Sequence, residues 1–156
     1  MSDYYDVFLA VDLSPELSEP VLHEVRWLLG QAEIPPALES ADWETWGCPW
    51  QVFAGGSASH AFAGSDTAAL VRALDRSDPG GGAPWALTVR TCVHEDEFGV
   101  VMEVVEWLLR QATTVGWVGF VRSSASDDAH HVVRHHDGFE LVEVQTAGRW
   151  GQVSWS

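Results

Sequence analysis

Tyr4-Tyr5-Asp6-Val7-Phe8-Leu9-Ala10-Val11-Asp12-Leu13 runs into Ser14-Pro15-Glu16, and a helical pattern then ends in Val25-Arg26-Trp27-Leu28-Leu29-Gly30. Tyr5, Val7, Leu9 and Val11 recur at period two, the spacing of a strand with one buried face. Phe8 and Ala10 make the other face apolar too, which predicts partial cover on both sides. Ser14 is the expected N-cap of the helix, with Pro15 at its first position and Glu16 in its first turn. Leu17, Val21, Val25 and Leu28 or Leu29 recur at three and four, and Gly30 suits the C-terminal stop.

The pattern returns. At an offset of 80 residues, Val-Arg-Trp-Leu-Leu at 25–29 falls on Val-Glu-Trp-Leu-Leu at 105–109, and Tyr5, Val7 and Leu9 fall on Trp85, Leu87 and Val89. The second copy predicts a strand over 85–93 and a helix over 95–111, with Phe98, Met102, Val105 and Leu109 as its apolar stripe. Glu95, Asp96 and Glu97 stand where the helix dipole favours negative charge, and Arg110 stands at the opposite end.

Gly116-Trp117-Val118-Gly119-Phe120-Val121-Arg122 reads as a strand, with Trp50 to Phe53 or Ala58 to Ala63 as its counterpart in the first half. Leu70-Val71-Arg72 precedes a Gly/Pro run and the strand at Trp85. Val132-Val133-Arg134 precedes His136-Asp137-Gly138 and Phe139 to Val144. Both read as hairpins. Short helices are the competing reading, with Ser65-Asp66 and Ser126-Asp127 as caps. The sum is an α+β fold: duplicated βαββ units forming one mainly antiparallel sheet, with two long helices packed on one face. The expected organisation is a single domain over 1–156 with pseudo-repeats over about 4–75 and 84–145. A long Pro/Trp-containing loop spans 31–49, and a loosely attached tail spans 146–156.

The chain has 156 residues, 23 acidic and 8 basic side chains, and a net charge of −15. Its hydrophobic fraction of 46% is that of a globular domain. All 8 cations are Arg, which removes Schiff-base lysine chemistry and a P-loop lysine. There is no Asn, so a Cys-His-Asn triad and N-glycosylation fall away as well. With Ile34 as the sole isoleucine and much Ala, Gly, Val and Arg, these absences also fit a GC-rich coding bias. The charge opposes binding to nucleic-acid phosphate or an anionic membrane and suits a basic protein partner or plain solubility. No run approaches a membrane span, and the acidic start Met1-Ser2-Asp3-Tyr4-Tyr5-Asp6 is unlike a secretory signal. Cys48 and Cys92 show no ligand spacing, and two reduced thiols in the cytoplasm is the expectation.

Three segments carry a resemblance: Tyr5 to Leu13 with the helix end Arg26-Trp27-Leu28-Leu29-Gly30, Trp85-Ala86-Leu87-Thr88-Val89-Arg90 with His94-Glu95-Asp96-Glu97-Phe98, and Gly119-Phe120-Val121-Arg122. Together they resemble a group of small, acidic, uncharacterised actinobacterial proteins. The resemblance covers about half the chain and implies a cytoplasmic setting and the hairpin reading. It carries over no catalytic residue. The Trp-rich segment 43–50 and the histidine cluster depart from the group's pattern.

Two clusters are candidate sites. Trp43, Trp46 and Trp50, with Asp42 and Glu44, suit a partly apolar, basic partner, because Trp is enriched at interface hot spots. The competing expectation is that these rings fold onto the core. His130, His131, His135 and His136 offer imidazoles for a metal, with His131 and His135 four apart on one face of either a helix or a strand. Their competing role is an exposed strand edge or turn. No Glu lies within the cluster, so it is not a metalloprotease helix. His94-Glu95-Asp96-Glu97 is explained by helix capping, and Asp12 by a turn. Ser123, Ser124 and Ser126 near Asp127, Asp128 and His130 lack a visible oxyanion hole or a Gly-x-Ser-x-Gly elbow. Gly55-Gly56-Ser57-Ala58-Ser59 lacks nucleotide-loop spacing.

No catalytic residue and no cofactor is therefore expected. The favoured function is a non-enzymatic acidic interaction module that binds a basic protein, an immunity or inhibitor protein being one concrete version drawn from charge alone. The alternative is a metal- or small-molecule-binding domain centred on His130, His131, His135 and His136. A self-associating protein is the third reading, so the chain is expected as a monomer or homodimer.

Overall fold

The computed structural model describes residues 2–77, 79–126 and 128–144. The expected tail over 146–156 lies outside them. Six strands form one antiparallel sheet: β1 Tyr4–Leu13, β2 Thr67–Arg72, β3 Trp85–His94, β4 Gly116–Ser123, β5 Ala129–His135 and β6 Gly138–Glu143. Their spatial order is β2-β3-β1-β4-β5-β6, so β1 and β4 are the middle pair, β3 flanks β1, and β2 and β6 are the edges. The helices are α1 Glu19–Leu28, the single turn α2 Trp43–Trp46, and α3 Glu95–Arg110, with a 3₁₀ turn over Leu74–Arg76.

The alternation in the central strands places the core. Val7, Leu9 and Leu13 of β1 and Leu87 and Val89 of β3 are buried on one face, against Val101, Val104 and Leu108 of α3 and Val25 and Leu28 of α1. Removing such a buried aliphatic side chain costs about 2–5 kcal/mol, so this layer sets the register of β1 on β3. Antiparallel pairing runs from Tyr4 opposite His94 to Leu13 opposite Trp85. β4 pairs with β1 from Tyr5 opposite Ser123 to Leu9 opposite Gly119. α3 begins at Glu95 as its dipole pattern predicts, and His94 Nδ1 accepts the N–H of Asp96 at 3.1 Å.

The segments 70–72 and 132–134 are strands of the β2–β3 and β5–β6 hairpins, not short helices. Other expectations are corrected. Within 4–75 one strand, β2, follows α1, and within 84–145 three strands follow α3, so the two stretches are not matching βαββ units. Trp50 to Phe53 is not a strand: Phe53 donates its N–H to Leu28 O at 2.8 Å, and Val52 and Phe53 are buried against α1. Ala58 to Ala63 forms only the isolated bridge Ala58–Ser65, in a run of small residues with weak strand propensity. α1 is ten residues long and is capped by Ser18, not Ser14. Ser14 instead belongs to a turn before the helix: its Oγ accepts the N–H of Glu16 at 3.1 Å, and its own N–H goes to Gln111 O at 2.8 Å. The stop at Gly30 is as expected: it takes φ 75°, and its N–H bonds Trp27 O at 2.9 Å.

Candidate functional site

The Pro/Trp loop is a strap, and a buried carboxylate ties it down. Glu24, on the inner side of α1, accepts the N–H of Glu39 at 2.9 and 3.0 Å and that of Ser40 at 2.7 Å. Ser40 Oγ in turn accepts the indole N–H of Trp43 at 3.2 Å, and the Trp43 ring meets Trp27 edge-on at 5.8 Å. Trp43 is therefore a core residue, and its ring is closed to a partner. Trp50 packs against the same core. Trp46 lies across α3, where a Cβ on Gly99 would come within 2.5 Å of its ring and Glu103 accepts its indole N–H. Asp42 caps α2 by accepting from the Thr45 hydroxyl and amide, which holds its carboxyl below the usual range. Of the five residues expected to bind, Asp42 and Glu44 are exposed and Trp46 is 42% exposed. The others have structural partners.

The strand also separates the histidines. His130 and His131 point to opposite faces of β5. His131 and His135 share a face but stand about 13 Å apart along the strand, too far for one ion. His131 Nδ1 accepts the indole N–H of Trp117 at 2.8 Å, and His135 Nε2 bonds Glu140 Oε1 at 2.8 Å. His136 lies in the β5–β6 turn. Among the described residues no three His, Cys, Asp or Glu side chains converge on a metal position.

What converges instead is the sheet face opposite the core. Asp6 is 1% exposed and holds two arginines. Arg90 reaches it from β3 at 2.9 and 3.0 Å, and Arg122 reaches it from β4 at 2.8 Å. The Arg122 guanidinium also lies 4.7 Å from the ring centre of Phe62 and 5.9 Å from that of Phe120. Phe120 stacks on Phe8 at 5.3 Å, Trp117 lies 6.3 Å from Phe8, and Trp117 then holds His131. The result is a strip of rings crossing β1, β4 and β5. Phe8, Phe120 and His131 are half-buried, and Trp117 is 49% exposed.

The loop 57–66 closes one end of this strip. Its backbone pairs Asp66 N–H with Ser57 O at 2.7 Å and Ser59 N–H with Gly64 O at 3.1 Å, and Ala63 O accepts from Arg90 at 2.7 Å. Burial beneath it pushes up the Asp66 carboxyl and the Cys92 thiol. Cys48 and Cys92 are both free. At the other end Asp12 pairs with Arg76 beside a shallow hollow floored by Ala10, Ala86 and Thr88.

A separate cleft of about 520 Å³ opens between the C-terminal end of α3 and the β5–β6 turn, lined by Arg110, Arg134, His135, His136 and Phe139 among others. Arg134 is fixed there by Leu109 O and Thr114 O, both at 2.8 Å.

The sequence reading passed over Phe120 and Trp117 as site residues. The usable signal was the apolar Phe8 and Ala10 on the second face of β1; Trp117 and Phe120, three residues apart, share that face only through the register shift between Trp117 and Gly119. No helix among the described residues is long and apolar enough to cross a membrane. The chain matches no protein-family model, no curated protein and no solved structure.

Proposed function

We propose that this chain is a non-enzymatic interaction module of the cytoplasm that binds a basic protein through the sheet face opposite its core. The observation that carries the reading is the half-exposed strip Phe8–Phe120–Trp117–His131 in a chain of net charge −15. Rigid aromatic rings contribute contact area at low entropic cost, and acidic surroundings steer a basic partner. Arg90 and Arg122 are both held by Asp6, and Arg76 is held by Asp12, so the cations near this face are tied to carboxylates of the chain itself. A protein that masks a basic enzyme in the manner of an inhibitor is the concrete form. In this reading α1 and α3 both cover the core face and leave the other for the partner. The sequence repeat fits this arrangement: Leu9 and Val89, 80 residues apart, are direct register partners of β1 and β3.

The test is a tagged pull-down from lysate of the source organism at low and then moderate salt. A Phe8→Ser/Trp117→Ala double variant and a Trp46→Ala variant run in parallel. The expected result is one basic protein retained in stoichiometric amount, released by salt, lost with the double variant and kept by Trp46→Ala. Equal retention by all three proteins, or no specific partner, refutes the reading.

The α3–β5 cleft favours a second reading, a small-molecule-binding domain. Arg110, Arg134, His135 and His136 stand around Phe139 with Glu106 and Asp137 in the same lining, a mixed set that suits a small polar molecule with an aromatic part. A ligand screen that raises the melting temperature of wild type but not of an Arg134→Gln variant would favour it over the first.

A further inference from the structure

We propose that the outer edge of β6 is a strand-addition site, where an extended basic segment of the partner pairs as a seventh strand. The inference rests on the interaction reading above and names its recognition mode. β6 ends the sheet. Val144 donates its N–H to Ala129 O at 2.9 Å, and the register sets Val142 opposite His131 and Glu140 opposite Val133. Antiparallel pairing alternates, so Glu140, Val142 and Val144 turn their main-chain groups towards β5. Phe139, Leu141 and Glu143 turn theirs outward. A strand edge of this kind is a template for another chain.

The charged guards on this edge are Glu140 and Glu143, both acidic. Phe139 to Val144 contains no Pro, Lys or Arg, and Leu141, Val142 and Val144 are 42%, 39% and 40% exposed. Charge selects the occupant. Glu140 and Glu143 flank the seam on opposite faces of the sheet, so arginine or lysine side chains of an added strand find a carboxylate on either side. A second copy brings the same two glutamates and another net −15 to the seam, and like charges across it oppose self-pairing. The edge also adjoins the aromatic strip, since Val142 is the cross-strand neighbour of His131. A partner seated on the strip therefore lies beside β6.

The probe is a synthetic acetylated, amidated heptapeptide alternating Arg and Val, added to the full chain at low ionic strength. Amide exchange is followed residue by residue. Exchange at Phe139, Leu141 and Glu143 is expected to slow on saturation, while that at Glu140 and Val142 changes little. Leu141→Pro deletes an outward N–H without touching the β5 ladder, and it should weaken the peptide about tenfold. Leu141→Ala, which keeps the N–H, should stay close to wild type. The inference is overturned if the peptide does not bind, or if it binds with protection elsewhere. It also fails if the three outward amides are already protected without peptide, or if Leu141→Pro and Leu141→Ala weaken binding equally. The exchange pattern of wild type stands even where the proline variant fails to fold. A natural partner lost with Phe8→Ser/Trp117→Ala but indifferent to Leu141→Pro removes this inference and leaves the interaction reading in place.

Discussion

Arg90 holds both oxygens of Asp6, Nε to Oδ1 at 2.9 Å and Nη2 to Oδ2 at 3.0 Å, from the diagonal position on the neighbouring strand. The pair sits at the centre of the sheet, and Arg122 completes it from the other side at 2.8 Å. A buried carboxylate with this geometry joins three strands that are far apart in the chain.

Removing Asp6 leaves two arginines facing each other without their counter-charge. Asp6→Ala should cost about 3–5 kcal/mol, the range for breaking a buried ion pair. For a chain of this size that lowers the melting temperature by about 10 °C. Arg122→Gln should cost less, because Arg122 is the more exposed partner and Arg90 keeps its two contacts. Thermal unfolding followed by circular dichroism measures both. A smaller loss in Asp6→Ala than in Arg122→Gln would contradict the arrangement.

Glu24 is a single side chain that fixes a long segment. Glu24→Ala leaves the amides of Glu39 and Ser40 without their acceptor in a buried place. A loss of about 2–4 kcal/mol is expected, since hydrogen bonds to a charged group are among the stronger ones. The Glu39 and Ser40 amides should exchange faster, and Trp fluorescence should shift to the red as Trp43 leaves Trp27. Urea unfolding and amide exchange read these effects.

These contacts show where the sequence was readable. Period-two runs and Gly/Pro turns are local, so β1, β3, the two hairpins and the stop at Gly30 could be read from neighbouring residues. The segment 31–66 could not. Its course depends on Glu24, on Leu28 O holding Phe53 and on Gly99 admitting Trp46, all contacts distant in sequence. Ser14 and Ser18 are equivalent caps by residue type; Ser14 Oγ takes the Glu16 N–H in a turn, and Ser18 Oγ takes the Val21 N–H at the start of α1. The histidines looked like a cluster because spacing alone does not tell a helix from a strand, and the strand spreads them over two faces. The tryptophans drew the site to the loop because Trp marks interfaces, but the same ring buries well. The open-face strip was visible only as apolar residues on the unexpected side of β1.

Gly99 provides the seat for Trp46. Gly99→Ala introduces a Cβ 2.5 Å from the ring, so the indole must lift and lose its bond to Glu103. Alanine also favours the helix by about 1 kcal/mol relative to glycine. Net stability should change by about 1 kcal/mol or less, while Trp46 emission shifts to the red and acrylamide quenching increases. A fall in stability as large as that of Asp6→Ala would mean that the ring cannot move. Unchanged quenching would mean that it was never seated there.

Asp66 gives the stability a defined pH dependence. Its carboxyl is raised above the ordinary 3.8, first by burial, and its Oδ1 has no hydrogen-bond partner. A raised carboxyl binds its proton more tightly in the folded chain than in the unfolded one. The protonated form therefore favours folding, and this contribution is lost as pH rises from 3.8 through the folded value. Asp66→Asn removes the titration while keeping an oxygen to accept from the backbone. At pH 7 the variant should melt at or above the wild-type temperature, and its advantage should shrink as the pH falls towards 3.8. Melting curves of both proteins between pH 7 and pH 4 test the sign: an advantage that grows on acidification would show that the carboxylate, not the acid, is the form the fold prefers.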